Sequence, residues 1–110
     1  MIEVRYNEQD YWLEVSGHAN YASCGSDIVC AGVSGICEAL IGVAIDRNSR
    51  VLPAISRNPG KGHMRIRLYP EKERDKLAAH VMLDMAYIGL ERIETQFVDY
   101  IHCSRTKEEI

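Results

Sequence analysis

From the amino terminus, Ile2-Glu3-Val4-Arg5-Tyr6 alternates apolar and polar positions, and Tyr11-Trp12-Leu13-Glu14-Val15 reads as a second strand after the polar turn Asn7-Glu8-Gln9-Asp10. A hairpin therefore opens the chain. From His18 to Ser26 the sequence becomes small and polar, with Gly17 and Gly25 at its edges to allow backbone angles that other residues avoid. This stretch is a loop and is expected to be mobile. Asp27 or Ser26 can cap the helix that follows, because either side chain accepts a bond from the free N–H groups of a first turn. Val29, Val33, Ile36, Cys37, Leu40 and Ala44 keep helical spacing to about Asn48, and Ile28, Ala39 and Val43 extend the apolar surface to a second face. Gly32, Gly35 and Gly42 each cost roughly 1 kcal/mol relative to alanine there, which predicts that a neighbouring backbone approaches closely.

Past Pro53, Ala54-Ile55-Ser56 reads as a strand, Asn58 to Gly62 as a turn, and Met64 to Tyr69 alternates, which predicts a second hairpin. Pro70 and the charged run Glu71 to Lys76 open a second helix ending near Gln96. Its apolar period is Leu77, Val81, Met85, Ile88 and Arg92, joined by Ala78, Met82 and Ile93, and Met82 and Met85 are expected in the core. Tyr11 and Trp12, on opposite faces of their strand, are expected in the core or an interface. Phe97 to Cys103 alternates again as a last strand. The order β-β-α-β-β-α-β predicts an α+β domain of two layers, a mostly antiparallel sheet with two helices, over residues 1–104. Residues 105–110 are a polar tail expected to fray.

Composition narrows the class. With 110 residues, 46% hydrophobic and 26% charged, the chain can build one core and is far from the signature of disorder. Thirteen basic against sixteen acidic residues leave a net charge of −3, so nothing announces a direct nucleic-acid partner, and a basic partner is easier to accommodate. The first residues lack the charged-then-apolar order of a signal peptide and no apolar run approaches membrane-spanning length, so the expectation is a cytoplasmic protein with no membrane contact. The four cysteines, at 24, 30, 37 and 103, have no CxxC spacing and are expected to be free thiols, three of them small buried hydrophobes. His63 and His80 stand apart from other ligand types, and the adjacent His102 and Cys103 must face opposite sides of a strand, so no metal site is expected.

The chemistry concentrates between Gly17 and Ser34. Cys30 sits in the first turn of the first helix, where unpaired N–H groups and the helix dipole favour an anion, the environment in which a nucleophilic thiolate is made. His18, twelve positions earlier at a strand end, can be brought back by the loop to take the thiol proton and return it to a leaving amine. Helix-start N–H groups can hold the oxyanion of a tetrahedral intermediate. The competing reading makes Cys30 a packing residue and His18 a surface one. Ser34, one turn after Cys30, can orient a catalytic group or a water, or bond back to its own helix. Asp27 can orient His18 as the third member of a triad, though helix capping accounts for it without catalysis.

Gly17-His18-Ala19, a short loop, and Gly25-Ser26-Asp27-Ile28-Val29-Cys30-Ala31-Gly32-Val33-Ser34 together resemble the signature of the bacterial ribosomal-processing cysteine proteases called Prp. Gly60-Lys61-Gly62-His63-Met64-Arg65-Ile66 is similar to that family's glycine-rich lead-in to a later strand, and Gly89-Leu90-Glu91-Arg92-Ile93 to its second helix. The resemblance implies a homodimeric α+β endopeptidase, without a cofactor, that cuts the N-terminal extension from a large-subunit ribosomal protein precursor near the peptidyl-transferase centre. By matching position it makes His18 the general base and Cys30 the nucleophile, with Asp27 and Ser34 in supporting positions. It also makes the loop Ala19, Asn20, Tyr21, Ala22, Ser23, Cys24, Gly25 and Ser26 a segment that moves when substrate binds. Substrates of the family carry an apolar, aromatic-containing cleavage sequence followed by basic residues, which an acidic enzyme attracts. Cys24 departs from the pattern: it is either an idle thiol or a partner for a reversible disulfide with Cys30. Two other classes compete, a non-catalytic ribosome-assembly or ribosome-binding factor and a thiol-redox sensor built on Cys24 and Cys30.

Overall fold

The computed structural model describes residues 1–23 and 26–110. Strands β1 (Ile2–Asn7) and β2 (Trp12–Ser16) form the first hairpin, in which Val4 pairs with Val15 and Tyr6 with Leu13. Its turn is built by the Asn7 side chain, whose Oδ1 accepts the N–H groups of Gln9 (3.0 Å) and Asp10 (2.9 Å). Helix α1 (Ile28–Asp46) follows the loop, then a single turn α2 (Asn48–Val51) that the sequence pattern did not separate from it. Strands β3 (Ala54–Asn58) and β4 (His63–Arg67) make the second hairpin around a short 3-10 turn at Pro59–Lys61. Helix α3 (Glu73–Gln96) returns the chain to β5 (Ile101–Arg105).

The sheet order is β3-β4-β2-β1-β5, antiparallel except for the parallel pair β1 and β5, so the expected α+β class and mostly antiparallel sheet are what the chain forms. One face carries Val4, Tyr6, Leu13, Val15, Met64 and Ile66, all buried in the core beside α1 and α3 residues. The two helices meet through glycines: a β-carbon on Gly32 would lie 3.3 Å from Ile93 Cδ1, and one on Gly89 would lie 3.1 Å from Ile36 Cδ1. Gly35 and Gly42, by contrast, have nothing within 4 Å among the described residues, so the close neighbour expected for them is not found there.

Four further expectations are corrected. On α3 the buried apolar side chains are Ala79, Leu83, Ala86, Tyr87 and Leu90, whereas Leu77, Val81, Met85 and Ile88 are exposed, Met85 at 71%. The helical period was right and its phase was not. Two apolar stripes share the helix, and the one with Ala79 and Ala86 lets the backbone approach the sheet. The last strand begins at Ile101, because residues 97–100 close the helix as a turn in which Tyr100 N–H donates to Phe97 O at 2.9 Å. The tail is pinned through Glu108: Thr106 N–H donates to Tyr6 O (2.9 Å), Asn7 Nδ2 to Glu108 O (2.9 Å), and Arg5 pairs with Glu108 at 2.7 Å. Finally, α1 is 19 residues long and apolar enough in composition to cross a membrane, more than the pattern suggested; here Val29, Val33, Cys37, Leu40, Ile41 and Ala44 bury its inner face in the core.

On the opposite sheet face Trp12 is wholly buried, with the Arg5 guanidinium 5.4 Å from its ring. Beside it Glu14 accepts from Arg5 (2.8 Å), Arg65 (2.7 Å) and His63 (3.2 Å). Burial alone would raise the Glu14 carboxyl, and the bonds from Arg5, Arg65 and His63 outweigh it and hold it at about 2.

Candidate active site

Two glycines set the backbone on which the site is built. Gly17 leaves β2 at φ +93°, where a β-carbon would come within 2.4 Å of Met1 O, and its N–H donates to Gly62 O at 2.7 Å. Gly62 is left-handed at φ +61°, and a β-carbon there would lie 2.5 Å from Gly17 O and 2.8 Å from His18 Nε2. The imidazole of His18 thus rests on a surface only glycine provides, at the junction of the two hairpins.

Asp27 is the N-cap of α1. Its Oδ1 accepts the Cys30 N–H at 3.0 Å, and its Oδ2 accepts those of Tyr21 (3.0 Å) and Ala22 (3.4 Å). The Cys30 N–H first, then those of Tyr21 and Ala22, hold this carboxyl below its ordinary range. Asp27 makes no hydrogen bond to His18 among the described residues, so what the geometry shows is capping and loop-pinning. Cys30, half-buried in the first turn, receives the Ala19 N–H on its sulfur at 3.4 Å. Ser34 stands exposed one turn along.

His18, Cys30 and Ser34 border two depressions. One runs toward the sheet over Val33, Cys37, Ile41 and Met64, and is also lined by the ion pair of Glu38 on α1 with Arg57 on β3. The other lies on the loop side, over Asn20, Ala22, Asp27 and Ala31. Among the described residues no hydrogen bond joins His18 to Cys30; the fold brings them to the same hollows and leaves the imidazole exposed. Cys37 and Cys103 are unsuited to nucleophilic work, since burial pushes their thiols up to about 11 and about 12. Cys24 and Gly25 lie outside the described residues, so the expectations placed on them are not addressed. The Glu38–Arg57 pair had no signal in the sequence, because its members belong to elements that only tertiary packing brings together. Gly62 had one, in the glycine-rich turn, but not its role as the bed of a histidine.

A half-buried thiol at a helix start, with a backbone N–H on its sulfur and an imidazole at the same hollow, has the groups that a thiol-dependent hydrolase uses. The chain belongs to the cysteine protease Prp family, whose sequence model matches residues 1–102, and it is a cysteine protease. The ribosomal processing cysteine protease Prp of Staphylococcus aureus is 28% identical over 106 residues, covering 91% of this chain and 92% of the relative. Crystal structures of that essential S. aureus protease are also similar. Its complex with a covalently linked product peptide has a TM-score of 0.82 at 26% identity, covering 96% of this chain and all of that one. Its complex with a substrate peptide has a TM-score of 0.77 at 25% identity, with the same coverage.

Proposed function

We propose that this chain is an endopeptidase that removes the N-terminal extension of a large-subunit ribosomal protein precursor, with Cys30 as nucleophile and His18 as general base. The observation that carries the reading is that Cys30 and His18 together border both of two depressions. An endopeptidase must accommodate chain on each side of the scissile bond. A peptide laid across the two depressions presents its carbonyl to the sulfur, with apolar side chains over Val33, Cys37, Ile41 and Met64. That the S. aureus relative is a ribosomal processing protease supports the substrate class, and a ribosomal substrate is the ground on which we propose a cytoplasmic enzyme.

In the reaction His18 accepts the Cys30 proton and the sulfur attacks the carbonyl. The tetrahedral oxyanion collapses to a thioester as the amine leaves with the proton from His18, and water activated by the same imidazole hydrolyses the thioester. Asp27 already occupies the Cys30 N–H, so the Ala19 N–H is the donor beside the sulfur for the developing oxyanion. Ser34 borders both hollows and is placed to orient the imidazole or a water. No step requires a cofactor.

We further propose that the enzyme is a homodimer. The stripe Leu77, Val81, Met85 and Ile88 on α3 is 47–71% exposed, and a second copy is the partner that would cover it.

The test is incubation of the reduced protein with a peptide spanning the extension junction of the host's own ribosomal protein, read by mass spectrometry beside Cys30→Ala and His18→Ala. Cleavage at one bond by the wild type and by neither variant is expected. No cleavage by the folded wild type would return the chain to a binding role in ribosome assembly.

A further inference from the structure

The loop after His18 is tied down at three points, one of which lies outside the Gly17-His18-Ala19 and Gly25 to Ser34 segments. Asn20 adopts the left-handed conformation at φ +56°, which asparagine tolerates, and there the chain turns sharply. Beyond it, the Tyr21 ring leaves the catalytic hollows and seats edge-on against two aromatic rings at the corner between α3 and β5. Its centroid is 5.4 Å from that of Phe97, at 89° between planes, and 5.0 Å from that of Tyr100, at 78°. Such T-shaped contacts set the positive ring edge against the negative face. The corner is a firm anchor, because Phe97 N–H closes α3 onto Ile93 O, Tyr100 N–H donates to Phe97 O, and Ile2 N–H donates to Tyr100 O, all at 2.9–3.0 Å. The other two ties are the Tyr21 and Ala22 N–H groups on Asp27 and the Ala19 N–H on Cys30 Sγ.

Tyr21 is 42% exposed, and no hydrogen bond to its hydroxyl exists among the described residues, so neither burial in the core nor its polar tip explains its place. What the ring does is fix the far side of a segment whose near side donates to the nucleophile. Only Ala19 and Asn20 separate His18 from Tyr21, so a displacement of the ring is carried directly to the Ala19 N–H and to the imidazole before it.

We propose that Tyr21 is a positioning residue for Cys30: its ring, latched on Phe97 and Tyr100, keeps the Ala19 N–H on the sulfur. This assignment rests on the reading of Cys30 as the nucleophile. Tyr21 lines neither depression, and the assignment makes the α3–β5 corner part of the apparatus that prepares the thiol.

The experiment follows alkylation of Cys30 by iodoacetamide at fixed pH, quantified on the Cys30 peptide by mass spectrometry, in wild type, Tyr21→Ala and Tyr21→Phe, with circular dichroism and thermal unfolding to confirm the fold. In Tyr21→Ala the rate is expected to fall by about threefold or more, the consequence of losing two ring pairs. In Tyr21→Phe, which keeps both pairs, it is expected to match wild type. Unchanged alkylation in a folded Tyr21→Ala protein overturns the proposal, as does an equal fall in Tyr21→Phe. Because the alkylation needs no substrate, failure to cleave a ribosomal-protein peptide would count against the proposed substrate and leave this result standing.

Discussion

Gly17 and Gly62 are locked together by a 2.7 Å hydrogen bond from the Gly17 N–H to the Gly62 carbonyl, and the ring of His18 lies on the bare α-carbon of Gly62. The pair joins the end of β2 to the start of β4, so the histidine's location is set by two hairpins at once. Gly62→Ala places a methyl 2.5 Å from the Gly17 carbonyl oxygen and 2.8 Å from His18 Nε2, and forces a side chain onto a left-handed backbone at φ +61°. The conformational term costs about 1–2 kcal/mol and the backbone contact adds to it, and with His18 as the proposed base any shift of its ring is felt in catalysis. The expected result is a protein less stable to urea than wild type, with peptide cleavage under conditions where it is still folded reduced at least about a hundredfold.

Asp27 separates capping from catalysis by a choice of substitution. Asparagine is as good a cap as aspartate but carries no charge, while alanine removes the cap entirely. Asp27→Ala is expected to lower the melting temperature and slow Cys30 alkylation together, since the Cys30, Tyr21 and Ala22 N–H groups all lose their acceptor. Asp27→Asn is expected to keep the cap on the Cys30 N–H and most of the melting temperature but to slow alkylation in part, because an amide that caps Cys30 with its oxygen turns a donor NH2 toward the Tyr21 and Ala22 N–H groups. An Asp27→Asn protein as stable as wild type and alkylated at the same rate, but without activity, would instead show that the charge acts beyond the cap and the loop ties.

Acid sensitivity should trace to Glu14. Its folded value of about 2 lies below the unfolded carboxylate value near 4.3, so its stabilisation is fully present above the unfolded value and is lost as pH falls toward the folded one. Urea unfolding followed from pH 6 down to pH 2 should therefore lose stability between roughly pH 5 and pH 2. Glu14→Gln is expected to flatten that limb and to cost about 1–3 kcal/mol at neutral pH, because Arg5 and Arg65 lose their charged acceptor. A limb equally steep in Glu14→Gln would assign the acid sensitivity elsewhere.

The two stripes of α3 make opposite predictions. Leu83, fully buried, should cost about 2–5 kcal/mol when cut to alanine. Met85, 71% exposed, should bear a change to glutamate with little cost to the fold of one copy, while a dimer measured by light scattering becomes a monomer. A Met85→Glu protein of unchanged mass in solution would place the dimer contact on another face.

The sequence by itself determined the elements and the ingredients of the chemistry. Alternation marked β1, β2 and β4, helical spacing marked α1 and α3, and the Gly17-His18-Ala19 and Asp27 to Ser34 segments placed an imidazole and a thiol on either side of one loop. These are local properties, because a strand's period, a cap and a helix's first turn are set by residues a few positions apart. What neighbours at long range decide was not legible. The parallel pairing of β5 with β1, the choice of Leu83 over Leu77 as the buried side of α3, and the pinning of the tail on Asn7 each depend on which surface arrives opposite. The same holds at the site. The bed of Gly62 under His18, the Glu38–Arg57 pair lining the groove and the seat of Tyr21 on Phe97 and Tyr100 all join residues far apart in the chain. Periodicity shows that a side chain has an apolar face to bury, and only the folded backbone decides against what.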